Sequence, residues 1–188
     1  MKALHADGQL TILGQHQGVA AQALSISALA VLTAIGAHVE IPHQPVPFTL
    51  QTFFVLLAGA LLGKRNGALS QMMYLAAGLA GLPVFSSGAL GLAKLIGPTG
   101  GYLLGFPVAA FVVGYLLESR TQFMWALLSM CIGALVIFSL GTLHLYFVYY
   151  RDWSLAIANG FFIFSWWDLL KIAAAAGIYT TVARAKRG

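Results

Sequence analysis

The residues best equipped for chemistry in this chain are Asp168 and Lys171, in the run Ser165-Trp-Trp-Asp-Leu-Leu-Lys-Ile-Ala-Ala-Ala-Ala176. Their neighbours are apolar enough to sit in hydrocarbon, where a charged side chain costs about 2.5–3.5 kcal/mol on insertion scales. Three residues apart on a helix, the two side chains share a face and neutralise each other. Two readings are open: a bare ion pair that holds helices together, or part of a polar ligand site. Ionisable groups inside a membrane are functional candidates by default, which favours the second.

Chemistry on a ligand is not expected. No nucleophile stands beside a base, no carboxylates are paired for acid–base work, and no cluster has metal-ligand spacing, so neither catalytic residues nor a metal nor a cofactor is predicted. Cys131 is the single cysteine, which leaves it no intrachain disulfide partner and reads as a small buried apolar residue. Neither glycine-rich run completes the lysine-then-Ser/Thr end of a phosphate-binding loop: 97–101 has no lysine, and Lys64 at the end of 59–64 is followed by Arg65.

The elements that must position the pair follow from composition. Of 188 residues, 60% are hydrophobic and only 8% charged, against about 25% charged in soluble domains, which indicates an integral membrane protein. The net charge of +5 does not point to nucleic acid, because the positive residues fall at segment ends. Residues 1–19 form a polar N-terminal segment without the pattern of a cleavable signal peptide.

A first hydrophobic segment covers about residues 20–39, the roughly 20 residues that cross a bilayer. Its rows of small residues, Ala23 with Ser27 and Ala30 with Ala34, suit either packing within the chain or the close approach of a partner helix. Prolines at 42, 45 and 47 then forbid a regular helix and predict an ordered loop or broken helix. In that loop Gln44, Thr49 and Gln51 carry groups for a ligand, although Thr49 also suits a helix N-cap.

Segments two (about 48–63) and three (about 67–82) are short and glycine-broken, the trace of a site built from discontinuous helices. A second irregular stretch, 83–101, holds five glycines, two prolines and one charge, Lys94. Segment four covers about 102–117 and segment five about 123–150, with His144 read as a helix–helix hydrogen-bonding residue. Residues 153–164 read as a short surface helix or lid, ahead of segment six from about Ser165. The expected fold is therefore an all-α integral membrane protein: a six-helix transmembrane domain over 20–184 and a basic cytoplasmic tail over 185–188. Placing both termini in the cytoplasm puts seven Lys and Arg residues inside and two outside, so the Pro/Gly-rich loops and the Asp168 end of segment six face outward.

Val46-Pro-Phe-Thr-Leu-Gln-Thr52, Leu57-Ala-Gly-Ala-Leu-Leu-Gly63, Gly81-Leu-Pro-Val-Phe85, Leu95-Ile-Gly-Pro-Thr-Gly-Gly-Tyr-Leu-Leu-Gly-Phe106 and Asp168-x-x-Lys171 occur in one order. In this the chain resembles the BioY family, the biotin-binding S components of energy-coupling-factor (ECF) transporters. The resemblance covers about residues 20–183. It implies a multi-pass protein of a prokaryotic plasma membrane with an outward-facing biotin pocket. It also implies a transmembrane coupling protein and ATP-binding subunits as partners, with docking on the Ala30 and Ala34 row. Asp168 and Lys171 are implied to contact biotin.

As an expectation, Asp168 accepts a ureido N–H. Lys171 keeps Asp168 ionised and donates to the ureido oxygen or the carboxylate. Gln51 and Thr49 add hydrogen bonds, while Phe48, Phe85 and Tyr146 form apolar walls. Where the family carries Pro-Gly before the Asp, this chain has Trp166-Trp167, expected to add bulk beside the pocket and affect its preference. An S component for another vitamin and, more remotely, an intramembrane enzyme using Asp168 as acid or base are the rival readings.

Overall fold

The computed structural model describes residues 18–86, 91–162 and 166–186. The expectations for the polar segment up to residue 17, for residues 87–90 of the second irregular stretch, for 163–165 at the end of the expected surface helix and the start of segment six, and for the final two residues of the tail fall outside those ranges. In chain order the elements are α1 (Val19–His38), β1 (Glu40–Ile41), β2 (Phe48–Thr49), α2 (Gln51–Leu79) and α3 (Gly91–Ile96), then α4 (Gly100–Leu116), α5 (Phe123–Leu145), α6 (Trp153–Gly160) and α7 (Trp166–Ala185). A π-helical turn, Tyr146–Tyr150, extends α5.

The second and third hydrophobic segments are the two arms of α2. They meet at Gly63, where φ is 77° and ψ 176°, a backbone region open to glycine and to almost nothing else. The break folds the helix back on itself. A Cβ added to Gly67 would stand 2.7 Å from the Cα of Gly59, so the arms touch backbone to backbone. Gly114 of α4 closes on the same corner, its missing Cβ falling 2.3 Å from the Lys64 nitrogen. Lys64 pairs there with Glu118 at 2.5 Å.

The proline loop is a miniature antiparallel ribbon, with Glu40 opposite Thr49 and Ile41 opposite Phe48. The Gln44–Pro45 peptide is cis. Leu50 N–H then donates to the carbonyls of Gly36 (3.1 Å) and Val39 (3.0 Å), which satisfies acceptors left over at the end of α1.

Around α2 the other helices assemble: α1 and α4 pack directly on it, α5 packs on α4, and α7 leans against both α2 and α5. Buried amides and hydroxyls tie α1 to the second arm of α2, with Gln71 Nε2 donating to Thr33 Oγ1 (3.2 Å) and Gln22 Nε2 to Asn66 Oδ1 (3.0 Å). Among the described residues, two helical stretches are long and apolar enough to cross a membrane, Val19–His38 and Phe123–Tyr150, and Gly100–Leu116 is a shorter apolar helix. The arms of α2 are each too short for a straight crossing of about 20 residues.

Candidate functional site

Asp168 and Lys171 stand in the first turns of α7, both almost fully buried at 4% and 6% exposure. Lys171 Nζ lies 2.6 Å from Asp168 Oδ1. It also donates to the Thr49 carbonyl (2.9 Å) and to Thr52 Oγ1 (2.8 Å). An ammonium has three hydrogens, and these three acceptors take them all. The lysine therefore clamps α7 to the end of β2 and the start of α2. To donate to a ligand, Lys171 would have to release one of these protein acceptors.

The pair closes one side of a narrow, partly open cavity of about 50 Å³. From the first loop and α2 come Val46, Pro47, Phe48, Thr49, Gln51 and Thr52. Ser86 represents the second loop, and Thr99, Tyr102, Leu103 and Phe106 come from α4 and the residue that precedes it. Ile137 and Phe138 of α5 complete the wall. The lining is mainly apolar with a few convergent polar groups, the usual form of a small-molecule site.

Five of the residues expected at the site lie on this wall: Asp168, Lys171, Gln51, Thr49 and Phe48. The Thr49 hydroxyl donates to Gln51 Oε1 at 3.0 Å and accepts the backbone N–H of Gln51, the first residue of α2, at 3.4 Å, while the N-cap position itself is Leu50. Phe85 and Tyr146 are placed elsewhere. Phe85 is wholly buried behind the wall, in the space left by the missing side chain of Gly78 and edge-on to Tyr74 at 5.5 Å. Tyr146 stacks on Trp153 at 3.9 Å, in the turn between α5 and α6. Ala30 is buried within the chain's own core, and Ala34 is partly buried against it.

Trp166 and Trp167 are exposed, stand edge to face at 5.5 Å, and do not line the cavity. The bulk anticipated beside the pocket is thus directed away from it. Lys94 sits partly buried on α3; burial lowers its ammonium from the ordinary value, and the charge of Glu40 raises it in part. His144 Nε2 lies 3.0 Å from the Gly97 carbonyl, fastening the glycine-rich loop to α5. Among the described residues no group of three or more His, Cys, Asp or Glu side chains stands ready to hold a metal.

Sequence reasoning missed Val46, Pro47, Thr52, Ser86, Thr99, Tyr102, Leu103, Phe106, Ile137 and Phe138 as lining residues. Thr99, Tyr102, Leu103 and Phe106 fall inside the 95–106 block already singled out, so a signal existed. Ile137 and Phe138 carry none, since nothing separates them from other apolar residues of α5.

The comparisons agree with this architecture. A biotin transporter BioY from Thermotoga maritima is 44% identical over 155 residues, covering 82% of this chain and 91% of its own length. A probable biotin transporter BioY from Pyrococcus horikoshii is 43% identical over 122 residues, 64% of this chain and 72% of its own. The crystal structure of the S-component for biotin from an ECF-type ABC transporter superposes with a TM-score of 0.80 at 24% identity, over 87% of this chain and 90% of that one. It therefore shares the fold. The profile of the BioY family matches residues 9–188, and the chain belongs to that family.

Proposed function

We propose that this chain is the membrane subunit that captures biotin and delivers it for uptake in an ECF-type transporter. The observation that carries this reading is the buried Asp168–Lys171 pair on the wall of a mainly apolar cavity, in a chain of the BioY family. Biotin combines a ureido ring with two N–H donors and one acceptor, an apolar sulfur ring and a carboxylate tail. In the proposed complex Asp168, paired with Lys171, accepts a ureido N–H through a charge-assisted bond, the strong kind in a dry site. Thr49 and Gln51 supply further polar contacts, and Phe48, Phe106 and Phe138 pack on the apolar ring.

Six crossings are proposed: α1, the two arms of α2, α4, α5 and α7. Both termini are cytoplasmic, so that Lys64, Arg65, Arg120 and Arg184 lie on the positive side of a prokaryotic plasma membrane. The partners are the lipid bilayer, a transmembrane coupling protein and ATP-binding subunits, with no nucleic acid. Docking is assigned to α1, where Ala30 and Ala34 keep the helix thin enough for close approach; Ala30 is already covered by this chain, so Ala34 carries the contact.

Calorimetric titration of the detergent-purified chain with biotin, without any ATPase, tests the proposal. Saturable one-to-one binding is expected. A folded chain that takes up no biotin, or that prefers another vitamin in competition, would overturn it.

A further inference from the structure

Tyr74 is almost fully buried, at 1% exposure, and does not line the cavity. Its ring is held between Phe85, edge-on at 5.5 Å, and Phe106, stacked at 6.4 Å. Its hydroxyl receives Gln51 Nε2 at 2.6 Å and reaches the Val84 carbonyl at 3.2 Å. At the other end of the same amide, Thr49 Oγ1 donates to Gln51 Oε1 at 3.0 Å.

The polarity of this relay is fixed by its last member. A carbonyl only accepts, so Tyr74 must spend its one hydrogen on Val84. It can then only accept from Gln51, which turns the amide nitrogen toward Tyr74 and the amide oxygen toward Thr49. The reversed amide would set two acceptors against a single hydrogen and leave one of them buried and unpaired. What Gln51 keeps for the cavity is its second Nε2–H and one lone pair of Oε1.

We infer that Tyr74 is a positioning residue for ligand recognition: from outside the pocket it sets which way the Gln51 amide faces, and through Val84 it couples that choice to the loop that carries Ser86. This rests on the biotin reading for its ligand, but not for its geometry. It assigns the discrimination between donor and acceptor atoms on the ligand to a side chain the ligand never touches. Tyr74→Phe removes one oxygen and retains the ring packing.

Two measurements test it. In a double-mutant cycle on biotin affinity, Tyr74→Phe should weaken binding by about ten- to a hundredfold in the parent. In a Gln51→Ala background the same change should alter it by less than about twofold, because Tyr74 acts only through that amide. Equal losses in both backgrounds would reduce Tyr74 to a general structural residue and overturn the inference.

The second measurement needs no ligand. In protein carrying isotope-labelled glutamine, the Gln51 side-chain amide, identified by its loss in Gln51→Ala, should be protected from solvent exchange in the parent and lose that protection in Tyr74→Phe. An unprotected amide in the parent, or an unchanged one in the variant, sinks the relay. A relay seen in a chain that binds no biotin would leave the positioning role standing and overturn the biotin reading instead.

Discussion

Lys171 Nζ lies 2.6 Å from Asp168 Oδ1 and 2.8 Å from Thr52 Oγ1, so one ammonium joins the last helix to the first arm of α2. The contact spans more than a hundred residues of sequence and lies on the cavity wall. The charge pair thus lines the cavity and at the same time clamps α7 to the start of α2. The burial of both partners means that neither can be removed alone without stranding the other.

Lys171→Ala should therefore lose biotin binding and cost about 3–5 kcal/mol of stability, the usual penalty for breaking a buried pair from one side. The paired change Asp168→Leu with Lys171→Met should also abolish binding, yet recover most of the lost stability, because no uncompensated charge remains. Thermal unfolding in detergent, run beside the titration, separates the two effects. A double variant as unstable as the single one would contradict this account.

Gly63→Ala should be destabilising by about 1–3 kcal/mol, since a side chain is forced into the glycine-only backbone region on which the α2 hairpin turns. Gly114→Ala meets the Lys64 backbone from the other side and should act in the same direction. Neither residue lines the cavity, so biotin affinity in the folded fraction should stay close to the parent value. A large affinity loss at unchanged melting temperature would refute this.

Trp166→Ala and Trp167→Ala should leave biotin affinity within about twofold, because surface substitutions away from packed or paired groups have small effects. The check is calorimetry with biotin and with competing vitamins. A shift in ligand preference in either variant would show that the tryptophans reach the site after all.

The sequence alone determined the helical class, the order of the segments, the proline-broken loop after α1 and the pairing of Asp168 with Lys171, while the short helix α3 inside the second irregular stretch was not foreseen. These follow from local properties: apolar run length, proline and glycine placement, and the cost of an unpaired charge in an apolar segment. Even the fold-back of α2 was foreshadowed, as two short segments rather than one.

Position relative to the cavity was decided by tertiary structure. Phe85 and Phe48 are the same residue type, both beside irregular backbone, yet only Phe48 faces the cavity. The difference is Gly78, whose missing side chain opens a space that Phe85 fills. Trp166 and Trp167 precede the critical aspartate, but on α7 they point away from the wall that Asp168 and Lys171 occupy. Tyr74 carried no mark in the sequence, because its role depends on Gln51 and Val84 arriving at one hydroxyl from two different segments. Spacing along a chain fixes which residues share a helix face; only the packing of helices decides what that face meets.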